Sequence, residues 1–277
     1  MRRNTLPWRR AGIGAALAIA LWAAGCATAP EHVAAPIEIP PAVIPPPATL
    51  SDEFISNGRP VRLDASYPPG PGPHAAVLML HGASGLGDGV LLKGVASRLA
   101  AQGIATFTLH YFDGLDPKGR HTKASPRRHQ ERERIIADAL DFIAARPAID
   151  PSRIGVFGLS LGGFHALSLA AQDRRVAAAV SMVGAMPLQV PRQGIQRMPP
   201  VLILHGDRDV IVPLGRAREA ARWLKRMGAT YEMKIYPGQG HVFRGPARAD
   251  SFQRSADFLV RHLQAEDRVE ETSATRR

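Results

Sequence analysis

The sequence predicts an α/β fold, a mostly parallel, doubly wound sheet flanked by helices in a single domain. Three observations carry that expectation. Short, nearly continuous apolar runs recur from about Ser51 to Gln264, as strands covered on both faces require. Longer segments of helical period separate them. Neither an internal repeat nor a second compositional block interrupts the alternation.

The elements follow in order. Strands are expected at Ala75 to Leu80, Ile104 to Leu109, Arg153 to Leu159, Ala177 to Val183, Val201 to His205 and Tyr231 to Tyr236. Each is a β-rich apolar run of strand length. Helices are expected at Val90 to Ala101, Arg128 to Ala145, Leu161 to Ala171, Arg216 to Met227 and roughly Asp250 to Leu263. In the second of these, Ile136, Leu140 and Ile143 fall on one face. Arg127, Arg128, Arg132 and Arg134 alternate with Glu131 and Glu133, which reads as a solvated helix face.

Composition narrows the function. Of 277 residues, 45% are hydrophobic and 21% charged, which excludes a disordered chain. One cysteine excludes a disulfide framework and any thiolate metal cluster built from a single chain. The formal charge is +11, but Arg2, Arg3, Arg9 and Arg10 precede an apolar run, and without those four it is +7. A nucleic-acid partner would call for Lys and Arg clustered with stacking aromatics, and no such cluster is found.

That apolar run, Ala11 to Ala24, is uncharged and has the length of a secretory signal rather than of a membrane span. It ends Ala23-Ala24-Gly25-Cys26, which resembles the bacterial lipobox, with Ala23 where Leu is usual. Residues 1–25 are therefore expected to be a signal peptide and Cys26 a lipidated N-terminus. Residues 26–50 read as a Pro-rich spacer of extended polyproline type. The folded core is expected over 51–265, followed by a loose polar tail, 266–277. The expected location is the bacterial envelope, with the protein held by lipid at the outer membrane and facing the periplasm.

The chemistry begins at Gly158-Leu159-Ser160-Leu161-Gly162, directly after a predicted strand and at the opening of a helix. This is the nucleophile-elbow pattern, in which small residues on either side of a serine let strand and helix approach. A serine hydroxyl needs a base, and the base a carboxylate, further along the chain. His205-Gly-Asp207-Arg-Asp209 and Gly238-Gln-Gly-His241 each follow a strand. In a parallel sheet such loops gather at one edge. Both Asp207 and Asp209 qualify as the acid. Asp209 lies further out, toward the His241 loop, whereas Asp207 suits a role holding its own turn. For an oxyanion, the expected donors are the backbone N–H groups of Leu161 and of Ala83, in the loop His81-Gly-Ala-Ser-Gly85.

Together these segments resemble the dienelactone-hydrolase branch of the α/β-hydrolase superfamily, over about residues 51 to 264. The resemblance implies Ser160 as nucleophile, His241 as base and Asp209, four residues before Pro213, as acid. Founding members of that branch use Cys as nucleophile and an early-loop Glu where this chain has Ser160 and Gly82, which argues against dienelactone itself as the substrate.

The expected activity is hydrolysis of a small carboxylic ester through an acyl-enzyme, without cofactor or metal, since no histidine pair has a spacing such as HExxH. Arg244, three residues past His241, is the candidate contact for a substrate carboxylate. Lys118, Arg120 and Arg127 of the loop after the second strand read as surface charges. His81, His110 and His205 read as structural or pocket-lining, and His165 as packing on its helix. The alternatives are an α/β-hydrolase peptidase, disfavoured because no propeller or large cap accompanies the core, and a non-catalytic ligand-binding envelope lipoprotein, disfavoured by the intact Ser, Asp and His.

Overall fold

The computed structural model describes residues 48–115, 125–187, 195 and 197–264. Outside the described residues lie the predicted signal peptide, Cys26, most of the Pro-rich spacer, the loop positions Lys118 and Arg120, and the tail.

The described residues open with an antiparallel hairpin that the sequence reading did not anticipate, β1 (Ala48–Ser56) and β2 (Arg59–Tyr67). Its turn is Asn57-Gly58, both at positive φ (52° and 70°). Asn-Gly is the strongest short-range hairpin signal, so the cue was present. β2 buries Val61, Leu63 and Ala65 in alternation, a half-covered pattern that a search for continuous apolar runs passes over. β1 starts three residues before the expected domain boundary at 51.

The predicted α/β core follows. It comprises β3 (His74–Leu80), α1 (Gly89–Ala100), β4 (Ala105–Leu109), α2 (Pro126–Ala144), β5 (Ile149–Leu159), α3 (Leu161–Gln172), β6 (Val176–Met182), β7 (Val201–Gly206), α4 (Leu214–Arg226), β8 (Tyr231–Tyr236) and α5 (Gly245–Leu263). The sheet order is β1-β2-β4-β3-β5-β6-β7-β8. Every pairing from β4 to β8 is parallel, and β2 joins β4 antiparallel.

Period-two alternation divides the core between the sheet's two faces. In β3, Ala76, Leu78 and Leu80 face one layer, while Ala75, Val77 and Met79 face the other. The first layer holds buried residues of α2, α3 and α4, the second those of α1 and α5. With both faces covered, strand residues are apolar almost without interruption. The C-terminal ends of β5, β7 and β8 lie on one edge of the sheet, because these strands run parallel within β5-β6-β7-β8.

Among the described residues no helix is long and apolar enough to cross a membrane.

Candidate active site

Ser160 stands between β5 and α3 with φ 51° and ψ −113°, a conformation that non-glycine residues avoid. The turn is held because its flanking glycines remove the obstacles. A Cβ on Gly158 would run into the carbonyl of Gly162, and one on Gly162 into the carbonyls of Leu80 and His81. The Ser160 N–H donates to Met182 O at 2.8 Å, which anchors the elbow to β6. The Ser160 carbonyl accepts from the Phe164 N–H at 3.1 Å as the first bond of α3.

His241 lies five residues beyond β8 and Asp209 three beyond β7. The structure brings both to Ser160. His241 Nε2 is 2.8 Å from Ser160 Oγ, and His241 Nδ1 is 2.8 Å from Asp209 Oδ2. An ionised carboxylate only accepts, so Nδ1 carries the proton and Nε2 offers its lone pair to the serine hydroxyl. Asp209 Oδ1 accepts from the N–H groups of Ile211 and Val212, each at 2.9 Å. The Asp209 side chain is fully shielded, and that of His241 is 16% exposed.

Asp207 has a different place from the one its sequence position suggested. Its Oδ1 accepts from the Gly238 N–H at 2.7 Å, so it braces the following loop rather than its own turn. Two further features bind the loops together. The Arg208 N–H donates to Gln239 O at 2.9 Å, and a Cβ on Gly206 would meet the carbonyls of Gln239 and Gly240. The loops carrying Asp209 and His241 are therefore one assembly, and sequence spacing cannot reveal that.

Of the oxyanion candidates, Leu161 is the first residue of α3, where a backbone N–H has no intrahelical acceptor. Ala83 is exposed in a turn closed by the Gly85 N–H to Gly82 O at 3.1 Å. Arg244 caps the start of α5 with its side chain exposed, and its backbone N–H donates to Gln239 Oε1 at 2.9 Å.

His205 is buried beneath Asp209. Its Nε2 donates to Val212 O at 2.8 Å and lies 3.4 Å from Asp209 Oδ2, whereas Nδ1, also buried, has no hydrogen-bond partner among the described residues. Burial pushes its pKa below the ordinary histidine value, as it does for His129. Protonating His205 would place an unmatched N–H at Nδ1. A histidine kept neutral when folded binds its proton first in the unfolded chain. The stability it contributes is thus full above the ordinary value near 6.5 and is lost as pH falls through it. Thermal unfolding should therefore shift to lower temperature between pH 7 and pH 5. The variant His205→Gln, which keeps a donor for Val212 but does not titrate, should shift less. An equal shift in that variant would remove His205 from the account.

Behind α3 the structure corrects the reading of α2. Arg132 is 3% exposed and not on a solvated face, because it falls on the same stripe as Ile135, Ile136 and Ala139. Its Nε donates to His165 Nε2 at 3.0 Å. His165 Nδ1 meets Glu133, whose other oxygen accepts from Ser168 Oγ at 2.6 Å. His165 thus joins a buried polar bridge between α2 and α3, beyond simple packing on its helix. His129, Glu133 and His165 bring three ligand atoms within 4.8 Å of one another, a grouping the sequence reading missed although His129 and Glu133 are four apart on one helix. The donor set does not suit a metal. Arg132 occupies the Nε2 lone pair, which leaves the proton on Nδ1, the atom an ion would need bare.

The model of the dienelactone hydrolase family matches residues 64–266, most of the chain. The chain belongs to the dienelactone hydrolase family. Among characterised relatives, it is 33% identical to the 2,6-dihydropseudooxynicotine hydrolase of Paenarthrobacter nicotinovorans over 142 residues, 51% of this chain and 36% of that enzyme. An uncharacterised 31.7 kDa Escherichia coli protein is 32% identical over 134 residues, 48% of this chain and 45% of that one. The chain thus spans less than half the length of these relatives. Solved structures show the same fold. A dienelactone hydrolase-like promiscuous phosphotriesterase from metagenomic libraries superposes with a TM-score of 0.66 at 18% identity, over 79% of this chain and 99% of that one. The acylaminoacyl peptidase of Pyrococcus horikoshii does so at 0.65 and 15%, over 84% and 44%. The α/β-hydrolase fold expected from the sequence is the fold of this member of the dienelactone hydrolase family.

Proposed function

We propose that this protein is a serine hydrolase that cleaves carboxylic esters through an acyl-enzyme, with Ser160 as nucleophile, His241 as base and Asp209 as acid. The observation that carries the reading is the unbroken hydrogen-bond chain from Asp209 through His241 to Ser160, each link 2.8 Å. Ser160 Oγ attacks the ester carbonyl carbon as its proton passes to His241 Nε2. The N–H groups of Leu161 and Ala83 are the proposed donors to the oxyanion that forms, because backbone donors to that charge usually supply the largest electrostatic contribution in acyl transfer. The alkoxide leaves with the proton from His241. Water, deprotonated by the same nitrogen, then releases the acid and restores the serine.

The test is covalent. A fluorophosphonate probe should label the purified protein stoichiometrically and fail to label Ser160→Ala. A folded wild-type protein that takes no label overturns the reading. Arg244 is the proposed contact for a substrate carboxylate. Arg244→Ala should raise KM for acidic esters about tenfold more than for neutral ones, from the loss of a charge-assisted contact. Equal effects on both ester types return Arg244 to the solvated surface.

We further propose, from the residues alone, that Cys26 carries lipid and anchors the protein in the envelope. Failure of labelled fatty acid to enter the full chain would refute that.

A further inference from the structure

Three large apolar side chains stay exposed on the two loops that carry Asp209 and His241. Val210 is 89% exposed and Ile211 68%, directly after Asp209; Val242, directly after His241, is 52%. A single exposed apolar side chain needs no explanation, whereas a group of them marks a surface with a use.

Their exposure is built in. In Val210-Ile211-Val212 only Val212 turns inward, and its carbonyl accepts from His205 Nε2–H. The N–H groups of Ile211 and Val212 are both held by Asp209 Oδ1, so the backbone under Val210 and Ile211 is fixed by the carboxylate that orients His241. Val210 and Val242 each sit about 3.8 Å, Cα to Cα, from a residue of that pair. The loops carrying them are tied together by the Arg208 to Gln239 bond. An apolar surface already fixed in place loses little entropy on receiving a ligand.

We propose that Val210, Ile211 and Val242 form a platform at the rim of the Ser160 site for the hydrocarbon part of the ester, so that the substrate class is esters bearing a medium-length aliphatic chain. The proposal rests on the ester-hydrolase reading above.

It is tested with p-nitrophenyl esters from acetate to decanoate, each kept below its aggregation concentration. For the wild type, kcat/KM should rise with chain length. Val210→Ser and Val242→Ser should each lower kcat/KM for the octanoate by about tenfold, and for the acetate by much less, because the lost contact is apolar area. Ile55→Ser removes an equally exposed side chain, 67%, on the edge strand β1 and should follow the wild type at every length. A flat wild-type profile with normal probe labelling overturns the platform and leaves the hydrolase reading standing. Equal losses on acetate and octanoate also overturn it. Absence of both labelling and turnover overturns the two together.

Discussion

Replacing Asp209 by Asn is expected to cut kcat about 10⁴-fold with folding little changed, by analogy with the acid of serine proteases. The contacts say why the loss should be that large. Asp209 Oδ1 receives two backbone N–H groups, from Ile211 and Val212. An asparagine keeps those bonds only by turning its carbonyl oxygen toward them. Its NH₂ then faces His241 Nδ1, which must become an acceptor, so the imidazole proton moves to Nε2. With a proton already there, Nε2 cannot take one from Ser160. The neighbouring Asp207→Asn retains an oxygen for the Gly238 N–H and should cost on the order of 1 kcal/mol of stability or less, with kcat within a few-fold of wild type. Both are measured by steady-state ester hydrolysis alongside thermal unfolding. Normal turnover in Asp209→Asn, with collapse in a folded Asp207→Asn, would exchange the two assignments.

The second large effect belongs to the elbow. Gly158→Ala adds one methyl group, and that methyl meets only backbone: Gly162 O and C, and Gly163 N. A flexible side chain could swing away, but the first turn of a helix cannot. The helix must lift off the strand, and Ser160, whose φ of 51° is sustained by that packing, should relax toward an ordinary conformation. The expected result is destabilisation of about 3 kcal/mol, the upper end for overpacking, with probe labelling lost even in the folded fraction. Wild-type stability together with wild-type labelling would mean that the close approach does not hold the serine in place.

Much of this molecule could be read locally. The parallel strands announce themselves as continuous apolar runs because both of their faces are covered, and the elbow glycines because only glycine lets strand and helix touch. Ser160, Asp209 and His241 each follow a strand in the order the fold requires, so their convergence could be expected before it was seen. The hairpin β1–β2 was missed for the opposite reason. Its strands lie at the sheet's edge, where half-buried alternation imitates an irregular segment, and only Asn57-Gly58 marked the turn.

What the sequence determined by itself is the layered architecture and the identity of the candidate reactive groups, since these follow from period and residue type over a few neighbours. Tertiary structure alone decided that Asp207 braces the Gly238 N–H of the next loop, that Arg132 points inward to His165, and that the loops of Asp209 and His241 are tied through Arg208 and Gln239. Each of those outcomes depends on a second loop or helix arriving from a distant part of the chain. A residue's charge or bulk fixes what it can bind, but its partner is fixed by which backbone folding brings within about 3 Å of it.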